Sequence, residues 1–140
     1  SLEISDPSIK LPVGCFKNSS LTHLKINTNI PKDGCTKCSL LNIVILGPGC
    51  KDIGASSFSH CIRLWDIHIP ETVEIIRSCA YYKSGLHTIT FEERDNKKLT
   101  LYDRCFANNF VSYSYHNVKF PQNINYKGIL EKKKKPRLFW

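Results

Sequence analysis

The sequence predicts a repeat solenoid of about five coils, 19–24 residues each, that stacks one short strand per coil into a parallel ladder. Three observations predict it. The first is a half-motif of fixed spacing: an aliphatic residue, three variable residues, a small residue, then an apolar or aromatic one. It occurs as Leu11…Cys15-Phe16, Ile30…Gly34-Cys35, Ile53…Ser57-Phe58, Ile76…Ala80-Tyr81 and Leu101…Cys105-Phe106. The second is a companion segment with apolar residues at relative positions 0, +3 and +5. It reads Leu21/Leu24/Ile26, Leu40/Ile43/Ile45, Leu64/Ile67/Ile69 and Leu86/Ile89/Phe91. The third is punctuation: Asn27–Asn29 with Pro31, Gly47-Pro48-Gly49, Pro70, Asp95-Asn96 and Pro121-Gln122-Asn123 fall between copies.

Each piece has a physical role. The +3/+5 pair alternates, so its side chains share one face of a short strand. A strand this short cannot bury that face alone, but copies stacked in register form a continuous core. The small residue fits an inward bend, and the aromatic after it fills the interior from the opposite wall. The fifth strand has two registers. Phe110/Tyr113/Tyr115 keeps the period, whereas Tyr115/Val118/Phe120 makes a better strand and lets Phe120-Pro121 mirror Ile69-Pro70. The second is preferred and needs an insertion around residues 108–114. A sixth half-motif is read at Ile124…Gly128-Ile129. Residues 1–8 are read as an N-terminal extension, 9–129 as the solenoid, and 130–140 as a basic C-terminal tail.

Charge follows the same division. The 140 residues carry 20 Lys+Arg against 12 Asp+Glu, a net of +8. Lys132, Lys133, Lys134, Lys135 and Arg137 against Glu131 place half of that in the last ten residues. The tail suits a solvated, solubilising segment, an import signal or nucleic-acid contact, or an anionic membrane contact. Leu138-Phe139-Trp140 follows it, and three exposed apolar residues would be a liability unless docked. They are expected to cover the open end of the last coil or a partner. No run of about 18 apolar residues is present to span a membrane.

The phrases 57–76 (SFSHCIRLWDIHIPETVEII) and 79–91 (CAYYKSGLHTITF) resemble the BspA-type leucine-rich repeat, whose order is matched by Ser57-Phe58, Cys61, Leu64, Ile67, Ile69 and Pro70. The resemblance spans about residues 9–129. It implies a leucine-rich-repeat solenoid, a β-rich α/β fold with the strands on a concave face and short helical or irregular segments on the convex side. It also implies adhesion or interaction as the role, and it brings no catalytic residues.

Other candidate chemistry is thin. Seven cysteines invite a disulfide or metal framework. Cys15 and Cys105, however, occupy the small slot, Cys35 the aromatic slot and Cys61 the family's cysteine position, so packing is expected. Cys35-x-x-Cys38 has metal-ligand spacing but lacks a second pair. Residues 49–54 mimic the start of a phosphate loop, yet Ala55-Ser56 stands where Lys then Ser/Thr is needed. The five histidines assemble no nucleophile–base–orienter set. Neither an enzyme nor a cofactor or metal is expected. Asn18-Ser19-Ser20 is a glycosylation sequon that matters only after export.

The binding surface is expected on the outward strand positions, +2 and +4 of the second motif. These are His23 and Lys25, Asn42 and Val44, Asp66 and His68, Thr88 and Thr90, and Asn117 and Lys119. Trp65, between Leu64 and Ile67, is expected to face outward as a contact. A mixed face with no Lys/Arg stripe suits a protein partner better than nucleic acid. The expected function is a non-catalytic interaction module, with action on nucleic acid through the tail as the alternative. A homo-oligomer or a longer array would cover an end without a cap. The odd cysteine count and the tail lean toward a cytoplasmic or nuclear location, the family toward the cell surface.

Overall fold

Among the described residues, ten short strands form two parallel ladders around a shared core. The computed structural model describes residues 1–94, 97–110, 118–121, 124–126 and 138–139. The first ladder holds β1 (Leu2–Ile4), β2 (His23–Ile26), β3 (Ile43–Leu46), β5 (Asp66–Ile69), β7 (Thr88–Phe91) and β9 (Val118–Lys119). The second holds β4 (Asp52–Ile53), β6 (Ile75–Ile76), β8 (Leu99–Leu101) and β10 (Ile124–Tyr126), and Ile30 bridges onto Ile53 ahead of it. The segment 1–8, set apart in the sequence reading, carries β1, whose Leu2 and Ile4 pair with Leu24 and Ile26. Ile89 pairs with Val118 and Thr90 with Lys119, which is the register preferred for the fifth strand.

Alternation explains the core. Leu24, Val44, Ile67 and Ile89 form one buried row, and Ile26, Leu46, Ile69 and Phe91 the next. Burying each of these side chains contributes about 1.5–3 kcal/mol. The first ladder is hydrogen-bonded as β1-β2-β3 and β5-β7-β9, with β3 packed beside β5. Proline chemistry accounts for one missing bond at that junction. Asn27, Gly47 and Glu92, each following a strand, donate their N–H to Ile4, Ile26 and Ile69 carbonyls at 2.7–2.9 Å. Pro70 holds the equivalent place after β5 and has no N–H to give.

The second coil corrects the sequence reading. Leu40/Ile43/Ile45 was expected inside, but the buried set is Leu41/Val44/Leu46. Val44 and Leu46 are 7% exposed each, Ile43 42% and Ile45 52%. A one-residue shift exchanges the two faces of a strand. The run Leu40-Leu41-Asn42-Ile43-Val44-Ile45-Leu46 supplies apolar residues for both frames. Pairing of Leu24 with Val44 and Ile26 with Leu46 settles the frame.

The convex side takes the irregular form of the two that were expected. Among the described residues no α-helix forms there. The half-motif is instead a turn bounded by two left-handed residues four positions apart. They are Gly14/Asn18, Asp33/Lys37, Ser56/His60, Cys79/Lys83 and Arg104/Asn108, at φ between 52° and 67°. Two sign reversals within five residues aim N–H groups at the next coil rather than along a helix. Phe58 donates to the Ala80 carbonyl (2.7 Å), His60 to Tyr82 (2.8 Å), and the coils on either side repeat the pattern. Such backbone costs about 1–2 kcal/mol per non-glycine residue, and the inter-coil bonds hold it. Gly54 serves close approach: a Cβ there would lie 2.5 Å from Pro31 backbone. Hence the phosphate-loop mimic at 49–54 is a packing feature.

The aromatic slots stack into a spine. Phe58 and Tyr81 rings lie 5.2 Å apart, and Tyr81 and Phe106 5.6 Å. Phe139 continues it, 6.1 Å from Phe106 and 6.0 Å from Phe120. The backbone agrees, because Phe106 donates to the Leu138 carbonyl as Phe58 does to Ala80. Leu138-Phe139 thus fills the small–aromatic slots of a further half-motif and is buried. The aliphatic slot expected at Ile124 goes to Tyr126, which pairs with Leu101, while Ile124 pairs with Leu99. Gly128-Ile129 lies outside the described residues. Residues 138–139 therefore belong to the fold, as docking at the open end requires.

Candidate functional site: the outward strand face

Successive strands place outward side chains in rows. One row runs His23, Ile43, Asp66, Thr88, and the next Glu3, Lys25, Ile45, His68, Thr90. His23, Lys25, Asp66, His68 and Thr90 are exposed, and Thr88 is half-buried. Lys119 is in register with Thr90, and Asn117 lies outside the described residues. Because β3 is reframed, Val44 leaves this face, and Ile43 and Ile45 enter it. The face is therefore not wholly polar. An aliphatic pair sits at its middle, between charged neighbours on both sides.

Asn42 moves to the margin row with Thr22, Trp65 and His87, each two residues before a core position. Trp65 is 60% exposed and faces outward. Its ring lies 5.3 Å from His87, which stacks at 4.3 Å on Phe110, itself 58% exposed. Sequence spacing did not place Phe110 or His87 here. Phe110 belongs to the irregular fifth coil, and nothing in a linear period brings it onto His87.

One ion pair and one histidine–carboxylate contact cross the strands at the rim. Lys25 Nζ lies 3.6 Å from Glu3 Oε1, and His68 Nε2 lies 3.5 Å from Glu92 Oε2. Both are exposed and worth at most about 1 kcal/mol, so they shape the rim's charge more than they stabilise the fold. A shallow hollow of about 160 Å³ lies among Ser1, Glu3, His23, Lys25, Ile43 and Ile45. It is far smaller than a usual small-molecule pocket of roughly 300 Å³ or more.

The cysteines explain themselves by slot. All seven are free thiols. Cys38 and Cys61 each stand three residues after an aromatic slot, and each donates to a carbonyl of the preceding coil. Cys38 Sγ reaches Phe16 O at 3.0 Å, and Cys61 Sγ reaches Cys35 O at 3.1 Å. Asn109 takes the same slot, its Nδ2 donating to Tyr81 O at 2.7 Å. The Cys35-x-x-Cys38 spacing is thus two slots of one turn. Burial pushes the Cys50 and Cys61 thiols up to about 12, where they are unreactive at neutral pH. Among the described residues no group of three or more His, Cys, Asp or Glu is arranged to hold a metal. Ser59 Oγ lies 2.8 Å from His60 Nδ1, a contact between sequence neighbours on the convex turn. Asn18 of the sequon is exposed on that side.

The tail residues Lys132, Lys133, Lys134, Lys135 and Arg137 lie outside the described residues. Among the described residues no helix is long and apolar enough to cross a membrane.

Comparison with known proteins supports the same frame. No curated protein and no solved structure matches the chain. A family model described as BspA type leucine-rich repeat region matches residues 28–129 in six copies. With stacked parallel strands, small–aromatic turns and that match over most of its length, the chain belongs to the BspA-type leucine-rich repeat family.

Proposed function

We propose that this solenoid is a non-catalytic module that grips a protein partner through the outward face of its first ladder. The observation that carries the reading is the exposed pair Ile43 and Ile45 at the centre of that face. Protein interfaces combine an apolar, desolvated middle with a polar rim. Here His23, Lys25, Asp66, His68 and Thr90 supply the rim, and Trp65 with Phe110 an aromatic anchor at one margin. Contacts spread over several coils, as in other repeat proteins whose partners lie across the stack. Adhesion at a cell surface is the finer role the family suggests. Seven unpaired thiols favour an intracellular site instead, and a fluorescent fusion imaged in native cells decides between them.

The test begins with cross-linking from a photoreactive residue at Asp66, followed by titration of the recovered protein. Ile43→Glu with Ile45→Glu should weaken binding by about 2 kcal/mol or more, the scale of an interface hot spot, while the chain still melts cooperatively as a folded domain. Full binding by that double variant would refute the reading.

A further inference from the structure

The left-handed turn positions on the convex side line up from coil to coil. The second of each pair reads Asn18, Lys37, His60, Lys83, Asn108. In three consecutive coils this slot therefore carries a cation or a protonatable ring. The backbone fixes the alignment. Lys37 donates to Ser59 O, His60 to Tyr82 O and Lys83 to Ala107 O, each at 2.8–3.1 Å, and stacked strands are about 4.8 Å apart. Tyr82 lies against this row. The His60 ring meets its edge at 5.6 Å, and Lys83 Nζ and the Arg104 guanidinium sit over it at 5.4 and 5.5 Å. The ring thus gathers a second cation, Arg104, from the other left-handed slot. Among the described residues no ion pair engages Lys37, His60, Lys83 or Arg104. Burial and the charges of Lys83 and Lys37 hold the His60 ring below its ordinary pKa, so the two exposed lysines flank it as cations that an anionic partner would neutralise.

We propose that the ridge Lys37–His60–Lys83, with Arg104 laid on Tyr82, is a second interaction surface that binds a short acidic peptide segment of a partner protein. Length argues for a peptide. The ridge spans three coils, roughly 10 Å, and neutral Asn18 and Asn108 close it at both ends. That length accommodates two acidic side chains on one face of a strand, spaced roughly 6.6 Å apart. A nucleic acid is held by a longer basic stripe, and its single strands by open aromatic faces. Here Tyr82 already lies under two cations.

The experiment measures anisotropy of a fluorescein-labelled oligoglutamate peptide on the full chain. Lys132–Lys135 and Arg137 are first replaced by Gln, so that the tail cannot supply the charge. In that background Lys37→Gln, Lys83→Gln and Arg104→Gln together should weaken binding at least about tenfold, since each exposed pair contributes modestly. Restoring charge with Lys37→Arg should recover part of the loss, and Ile43→Glu with Ile45→Glu should leave the affinity unchanged. Circular dichroism melts confirm that the variants fold. Equal affinity for parent and ridge variant overturns the proposal. So does tighter, ridge-dependent binding of a single-stranded oligonucleotide or of heparin than of the peptide.

Discussion

Replacing Val44 by Asp, and separately Ile45 by Asp, sets two adjacent residues of β3 against each other. Val44 is 7% exposed within the row Leu24, Val44, Ile67, whereas Ile45 is 52% exposed. A carboxylate at 44 forfeits about 1.5–3 kcal/mol of apolar burial, and an unpaired charge in the core adds at least as much again. The sum, about 4 kcal/mol or more, is a large share of the 5–15 kcal/mol that holds a typical domain together. A carboxylate at 45 meets solvent, so its cost stays within about 1 kcal/mol, mostly lost strand preference. Urea unfolding followed by far-ultraviolet circular dichroism reads the difference. With a slope of about 1–3 kcal/mol per molar urea, the two midpoints should separate by about 1 M or more, if Val44→Asp folds at all. The reverse order would return Ile43 and Ile45 to the core and remove the apolar centre from the proposed face.

Four further outcomes are expected. Phe139→Ala removes the last ring of the spine and should cost about 2–4 kcal/mol, toward the low end for a chain end that can adjust. Deleting 131–140 should destabilise similarly, while Lys132–Lys135 and Arg137 changed to Gln should leave the urea midpoint unmoved; loss of salt-sensitive binding to DNA in that Gln variant would assign such binding to the tail. Arg77 makes a two-pronged contact with Asp52 at 2.8–3.2 Å, so Arg77→Ala should cost about 0.5–1 kcal/mol, a difference that shrinks in high salt because the pair is partly exposed. Iodoacetamide on the native chain near neutral pH should modify the half-exposed Cys15 and Cys79 before Cys50 and Cys61, whose thiols are buried and pushed up to about 12; mass spectrometry showing early modification of Cys61 would contradict its placement.

What could be read from the residues was whatever repeats in linear order. The aliphatic, small and aromatic slots recur at fixed spacing, so the coils, the core rows at β2, β5 and β7, and the outward His23, Lys25, Asp66 and His68 were legible. Val118 and Lys119 were placed by a preference for Val-x-Phe over Tyr-x-Tyr. Elsewhere the pattern was silent for physical reasons. In β3 both alternating sets are aliphatic, so period alone could not choose a face, and pairing with Leu24 and Ile26 did. The left-handed turns escaped because Lys37, Cys79, Lys83 and Arg104 are not residues that announce positive φ; inter-coil hydrogen bonds impose it. Leu138-Phe139 lies far outside the repeat period, so spacing could not place it on Phe106, where a backbone hydrogen bond and ring packing hold it. The Cys35-x-x-Cys38 pair looked like a ligand spacing until each sulfur found its own slot in the turn.

The central claim is that the outward face of the first ladder binds the partner. Amide hydrogen exchange of the chain, alone and saturated with the protein recovered from the Asp66 cross-link, tests it most directly. New protection should appear at residues 22–26, 42–46, 65–69 and 87–91, with the second ladder at 52–53, 75–76 and 99–101 unchanged. Protection confined to the second ladder or to residues 131–137, with none along β2, β3, β5 and β7, would contradict it.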